Sequence, residues 1–358
     1  MIYLHIPFCK SFCTYCGFYS EIETPGCYAK YADEICAEIK TRRSEFRGSL
    51  KTLYCGGGTP SLLPLNALAK ILLALGEIGQ GGPYEEFTME VNPDDIVEKG
   101  VDYVKGLISL GVNRISIGVQ SFDDDLLKFM NRRHDAAKAE KAVDIVREAG
   151  ITNLSLDLIF GVGGMTADSW KDTVKKALDL HPEHISCYQL SIDEGSHLAQ
   201  LISDGLYTEA SEEDCREQYD LLCELCRERG FHHYEISNFA LPGKEALHNS
   251  GYWSREPYVG LGPGAHSLSG ATRSWNTRTL NEYSPEFEYL GEEEVRLESI
   301  MLSLRTDRGI SAEVLRKQCD PETIERLVSE GALSLSGGRY RIPEDHFFVS
   351  DEIIRELI

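Results

Sequence analysis

Short apolar runs recur along the chain. Each is followed by a polar or glycine-bearing turn, then by a stretch whose apolar residues return every three or four positions. Runs of the first kind predict buried strands and stretches of the second kind amphipathic helices. Strands are predicted at Ile2–Ile6, Thr52–Cys55, Phe87–Val91, Arg114–Val119, Asn153–Phe160 and His184–Leu190. Helices are predicted between them at 28–47, 65–78, 94–110, 136–149 and 166–180. Every interval exceeds the roughly dozen residues that a parallel crossover requires. Alternating strand and helix predicts a parallel sheet or barrel. The expected fold is therefore α/β, a parallel sheet or a TIM-type barrel over residues 1–195, whose six units, (β/α)6, are two short of a complete barrel.

Beyond that the rhythm changes. Ser211–Arg229 reads as an amphipathic helix, started by Ser211 and Asp214 and stopped by Gly230. Its Cys223-x2-Cys226 pair reads as part of the helix, in its core or on its surface. A stretch rich in glycine, proline and aromatics follows at 242–275, and residues 196–290 are expected to extend the barrel. Helices at 292–305 and 311–330 and a hairpin at 332–349 around Gly337-Gly338 predict an α+β, winged-helix-like domain over 291–358.

Composition narrows the partners. The 358 residues carry a net charge of −22, which argues against nucleic acid and anionic membranes and suits a solvated acidic surface. No apolar run approaches the ~18 residues of a transmembrane helix. Eleven cysteines, an odd number, with no secretory leader ahead of them predict a reducing, cytoplasmic setting.

Three of those cysteines carry chemistry. Cys9-x3-Cys13-x2-Cys16 can hold three irons of a [4Fe–4S] cube and leave the fourth open to a small molecule. Structural zinc would want four ligands, usually in two pairs, and a redox pair would want two cysteines. Phe8, Phe12, Tyr15 and Phe18 are expected to shield the cluster, and Tyr15 to face an adenine. The other unusual residues, Gly56-Gly57-Gly58-Thr59, Glu90, Gln120 and Asp157, fall at strand C-termini, where barrels and open sheets hold ligands. The glycines allow close backbone approach and offer N–H donors, though alone they read as a tight turn. A buried carboxylate such as Asp157 needs partners.

With Tyr3-x-His5-Ile6-Pro7-Phe8 leading into the cysteines, the sequence resembles the radical S-adenosylmethionine superfamily. Within it, the chain is similar to the oxygen-independent coproporphyrinogen III oxidases and their HemW-type haem-chaperone relatives. The resemblance implies a three-quarter barrel and reductive cleavage of S-adenosylmethionine to methionine and a 5′-deoxyadenosyl radical. A reduced flavodoxin- or ferredoxin-type protein would donate the electron. It assigns Cys9, Cys13 and Cys16 to the cluster. Tyr3, Tyr15, Gly57, Gly58, Thr59, Glu90, Gln120, Arg132 and Asp157 become S-adenosylmethionine contacts. Arg132 suits the methionyl carboxylate because its fork binds two oxygens, with Arg133 as a rival.

Two features separate the branches. The oxidases carry another cysteine two residues past the third, and a long arm before the motif. Here that position is Phe18, and eight residues precede Cys9. His248-Asn-Ser-Gly-Tyr252-Trp253 resembles the His-Asn-x-x-Tyr-Trp element of the chaperones. His248 is thus expected to ligate haem iron, with Tyr252 and Trp253 against the porphyrin and His266 a weaker rival. His5 is expected to support the cluster loop or the substrate pocket rather than coordinate iron. The implied function is a chaperone that binds haem or a porphyrin and passes it to an acceptor protein. The alternative is oxidative decarboxylation of coproporphyrinogen III to protoporphyrinogen IX, whose tetracarboxylate substrate calls for a basic pocket from Arg255, Arg273 and Arg278. No catalytic residue is singled out.

Overall fold

The computed structural model describes residues 1–48, 50–280 and 282–358. Strand β1 (Ile2–Ile6) is followed by two short strands, β2 (Phe8–Cys9) and β3 (Glu21–Ile22), which pair with each other in parallel. Then come β4 (Thr52–Gly57), β5 (Glu86–Val91), β6 (Arg114–Gln120), β7 (Leu154–Phe160) and β8 (His184–Gln189). Strands β1, β4, β5, β6, β7 and β8 are neighbours in that order and all parallel, as the strand–helix alternation predicts. Helices Cys27–Thr41, Leu65–Glu77, Pro93–Ser109, Ala136–Ala149 and Ala167–Asp179 lie in the crossovers. Local chemistry sets their ends. Asp135 and Thr166 accept backbone N–H groups of the first turn, and Gly150 closes its helix in the left-handed region at φ 107°.

The predicted helix 28–47 stops at Thr41 and gives way to a 3-10 turn, Arg43–Glu45. The helix after β5 is interrupted at Gly100, which sits at φ 70°. Three further strands complete a nine-stranded sheet. β9 (His232–Glu235) and β10 (Asn238–Ala240) run antiparallel beyond β8, and β11 (Val259–Leu261) runs parallel beside β1. At three or four residues each they are too short to show a period in the sequence.

The stretch 242–275, rich in glycine, proline and aromatics, holds β11 and helix Leu247–Trp253. It also holds β12 (His266–Ser269) and most of β13 (Thr272–Asn276), which form a separate sheet with β14 (Pro285–Tyr289). The last segment has helix Glu292–Leu304, β15 (Ile310–Ser311), helices Ala312–Gln318 and Pro321–Ser329, and then β16 (Ser334–Ser336) and β17 (Arg339–Arg341). The single helix predicted at 311–330 is split because Asp320 caps a new one at Pro321, where the ring removes an N–H. A 3-10 segment, Glu344–Val349, and helix Ser350–Leu357 end the chain.

Both faces of the sheet are covered, so strand residues such as Leu4, Ile6, Leu53, Phe87, Ile115, Leu156 and Ile185 are almost wholly buried. Trp170 is among the largest fully buried side chains. Its ring lies beside Phe160, and its Nε1 donates to the Gln218 carbonyl at 2.7 Å. Trp170→Ala should cost about 3–5 kcal/mol, a large cavity plus an unpaired buried carbonyl. A drop in the urea midpoint reads that loss, and Trp170→Phe should lose clearly less.

Candidate functional site

β1 hands the chain to the cysteine loop. Cys9 ends β2, and the loop closes where β3 pairs with β2. Its remainder is pinned from several sides. Thr14 donates through its backbone to the Met130 carbonyl at 3.1 Å and through its hydroxyl to the Phe129 carbonyl at 2.8 Å. Asn131, held at φ 56°, donates to the Phe12 carbonyl at 2.7 Å. The His5 ring bridges Tyr3 hydroxyl, 3.0 Å from Nδ1, and the Tyr19 carbonyl, 2.8 Å from Nε2. Burial pushes His5 down to about 4, so it is a neutral strut for the loop.

The glycine turn at the end of β4 lies against this loop. A Cβ on Gly58 would meet the Phe8 carbonyl at 2.9 Å and Cys9 Sγ at 3.0 Å. Gly57 sits at φ 122°, a conformation that glycine adopts freely. The expectation of free N–H donors is corrected: Gly57 donates to Glu90 Oε2 at 3.2 Å and Gly58 to the Ile6 carbonyl at 2.9 Å. The turn supplies space and carbonyl oxygens. Thr59 Oγ1 donates to Cys9 Sγ at 3.5 Å.

Around these groups opens a cavity of about 610 Å³, lined by Cys9, Cys13, Cys16, Tyr15, Gly57, Gly58, Thr59, Glu90, Gln120, Arg132 and Asp157 together. Glu90 accepts from the Tyr54 hydroxyl at 2.7 Å, and burial raises its carboxyl to about 7. Asp157 accepts from the Ser116 hydroxyl at 2.8 Å and is likewise raised by burial. Gln120 adopts φ 67° where the β6–β7 register shifts. Arg132 donates to the Gly118 carbonyl at 2.6 Å, to Asn92 Oδ1 at 2.9 Å and to Cys13 Sγ at 3.4 Å. Its Nε is buried without a partner. Arg133 also lines the cavity but is tied to Asp94 and to Asp95, the latter at 3.2 Å.

These residues fit a cluster and a ligand with an amino-acid head. Three thiols share one wall, beside a glycine turn with no room for a side chain and a guanidinium with an unused buried donor. Burial raises the Cys9 thiol and pushes Cys16 up to about 11, so metal binding releases protons.

Other expectations are corrected. Tyr3 does not line the cavity; its ring stacks on Tyr54, 6.1 Å away, beneath the site. Phe8 turns into the core against Tyr28 and Tyr31, while Phe12 and Phe18 are 51% and 72% exposed at the cavity wall. His248 is fully buried and far from the cysteines in the fold. Its Nδ1 lies 2.8 Å from Thr52 Oγ1, at the start of β4, and its Nε2 lies 2.9 Å from the Tyr252 hydroxyl. Both ring nitrogens are engaged, and burial holds the ring neutral down to about 3. As folded, it presents no lone pair to an incoming iron. His266 stacks on Trp275 outside the cavity. Arg255 and Arg273 are both held by Glu298, so of the proposed basic trio only Arg278 lines the cavity.

Sequence reading missed Asn92, Ser186, Tyr188 and Asp193, which also line the site. Asn92 and Tyr188 sit beside the strand ends it had marked, so position was the available signal.

Glu90 makes a pH prediction. Its folded pKa of about 7 lies above the ordinary 4.5, so the proton is held more tightly when folded. The stability it adds is full below about 4.5 and is lost as pH rises to about 7. In metal-free protein, the urea-midpoint advantage of wild type over Glu90→Gln should shrink across that window. A constant difference would show an unperturbed carboxyl.

The comparisons agree with this geometry. Residues 3–177 match the model of the radical SAM superfamily. The haem chaperone HemW of Synechocystis sp. is 36% identical over 86% of this chain and 78% of its own length. That of Lactococcus lactis is 34% identical over 99% of this chain and 96% of its own. Among solved structures, the Escherichia coli coproporphyrinogen III oxidase, a radical SAM enzyme, superposes with a TM-score of 0.83 at 21% identity, covering 99% of this chain and 89% of that one. At that identity the likeness is one of fold. The three-thiol cavity at the C-terminal edge of a parallel partial barrel, with relatives matched almost end to end, places the chain in the radical S-adenosylmethionine superfamily, in its family of HemW-type haem chaperones.

Proposed function

We propose that this protein is a radical S-adenosylmethionine haem chaperone, which binds haem and passes it to an acceptor protein. The observation that carries the reading is the convergence of Cys9, Cys13, Cys16, the glycine turn, Glu90, Arg132 and Asp157 on one cavity. Cys9, Cys13 and Cys16 would hold the [4Fe–4S] cluster. When bound, such a cluster supplies an electron and one open iron to S-adenosylmethionine. Arg132 binds the methionyl carboxylate through its unused donor, and the carbonyls of the Gly57–Gly58 turn accept from the amino group. Thr59 steadies the Cys9 sulfur, Asp157 accepts from the ribose, Gln120 closes the far wall and Tyr15 lies against the adenine. Tyr3 acts indirectly, holding His5 and so the loop. A reduced flavodoxin- or ferredoxin-type donor would dock near Phe12 and Phe18, the exposed aromatics beside the cysteines.

Haem binding rests on the relatives' names and on the helix Leu247–Trp253. For His248 to ligate iron, that helix must shift and the Tyr252 hydroxyl must release Nε2. Phe18 stands where the oxidase branch has its extra cysteine, which favours the chaperone reading.

Anaerobic reconstitution should load about four irons per chain, with a cluster spectrum that changes on adding S-adenosylmethionine. Cys13→Ala holding the same cluster would overturn the ligand assignment. Haemin titration should give a Soret shift that weakens in His248→Ala and strengthens in Tyr252→Phe, which frees Nε2. Unchanged titrations in both would move the haem site elsewhere. Anaerobic conversion of coproporphyrinogen III would select the oxidase instead.

A further inference from the structure

Behind β8, on the side of the molecule where the C-terminal segment packs, three metal-ligating side chains from distant parts of the chain meet. Cys223 lies on helix Glu212–Glu228, His233 on β9 and Glu344 at the start of the 3-10 segment Glu344–Val349. Cys223 Sγ is 3.8 Å from His233 Nδ1, and His233 Nδ1 is 3.5 Å from Glu344 Oε1. All three ligand atoms lie within 4.8 Å of one another.

The second nitrogen of His233 fixes how the first is used. The Tyr219 hydroxyl donates its proton to the Ile236 carbonyl at 2.9 Å. It can therefore only accept from His233 Nε2, 3.3 Å away. With Nε2 carrying the hydrogen, the Nδ1 lone pair of the neutral ring points at a thiol and a carboxylate oxygen. A lone pair facing a carboxylate is repulsive unless a proton or a metal cation lies between them. A direct charged hydrogen bond would be shorter than 3.5 Å. The spacing suits a bridging ion. Zinc bonds of ~2.3 Å to sulfur and ~2.0–2.2 Å to nitrogen and oxygen give, at tetrahedral angles, S···N of ~3.5 Å and N···O of ~3.4 Å. A ligating histidine held through its other N–H by a hydrogen-bond acceptor is also the usual second-shell arrangement of such sites.

We propose that Cys223, His233 and Glu344 form a divalent-metal site of zinc type, separate from the cysteine-loop cavity. One thiolate, one imidazole and one carboxylate are a zinc-like set, with water as the fourth ligand on the side where Glu344 is 39% exposed. Arg227, itself exposed, donates to the same Glu344 oxygen at 3.1 Å, a surface pair worth little and easily released. The ion would join the helix and strand beyond β8 to the C-terminal segment, clasping the last segment onto the barrel.

The test uses the full-length chain with Cys9, Cys13 and Cys16 all changed to Ala, so that the cluster motif cannot contribute, and cobalt(II) as the probe. Titration should saturate at about one cobalt per chain, with a thiolate-to-cobalt charge-transfer band that zinc displaces. Cys223→Ser should abolish the band. Glu344→Gln, at a half-exposed position that should not endanger folding, should weaken binding about ten-fold or more while keeping the band. No band in the triple-alanine chain overturns the site, as does a band unchanged in Cys223→Ser. If Cys223→Ser does not fold, unchanged affinity in Glu344→Gln overturns it.

Discussion

The parallel pairing of β1 with β4 is the constraint on which the site depends. Its register sets Ile6 opposite Gly57, so the strand that feeds the cysteine loop and the strand that feeds the glycine turn end side by side. The Gly58 N–H then closes onto the Ile6 carbonyl at 2.9 Å. The absence of a Cβ at Gly58 lets Cys9 pass within about van der Waals contact. A shift of one residue would reverse the faces of β4 and set Gly56 or Gly58, in place of Gly57, opposite Ile6. Everything else in the cavity inherits this alignment, because β5, β6, β7 and β8 follow in parallel order and deliver Glu90, Gln120 and Tyr188, from near their C-terminal ends, and Asp157, from the middle of β7, to the same cavity.

The electrostatics follow from crowding polar groups at a dry edge. Glu90 and Asp157 are both half-buried and both raised by desolvation, and the Asp157 carboxylate adds to the rise of Glu90. Without a ligand the cavity therefore favours fewer negative charges than its carboxyl count suggests. A zwitterionic amino-acid head with a nearby positive centre suits such a wall, and the Arg132 guanidinium answers its carboxylate. A tetra-anionic porphyrinogen suits it poorly, since Arg255 and Arg273 are already paired with Glu298.

What the sequence disclosed was what strand periodicity can carry. The six parallel strands and the chemistry at their ends follow from local pattern, because in a β/α repeat the residue after a strand is at the ligand edge whatever the rest of the chain does. Facts that depend on distant segments were illegible. Arg132 and Arg133 are adjacent, and only Asp94 and Asp95, across a crossover, tie up the second and leave the first with a spare donor. The short strands β9, β10 and β11 form because a sheet edge offers them partners. Cys223, His233 and Glu344 span 121 positions and meet only after the C-terminal segment folds back.

His248 is the most telling of these cases. Its motif was legible, but its location was not, because β11 brings the helix before it to the opposite end of the barrel. Thr52, which bonds its Nδ1, opens β4, whereas Gly57, which touches the cysteine loop, closes it. Five residue steps at ~3.3 Å put those two ends of one strand roughly 16 Å apart. His248 thus lies towards the end of β4 away from the cysteine loop, with the Tyr54 ring between it and the cavity. The Tyr54 ring spans the gap between the two places: it packs 5.1 Å from His248 while its hydroxyl bonds Glu90 in the cavity.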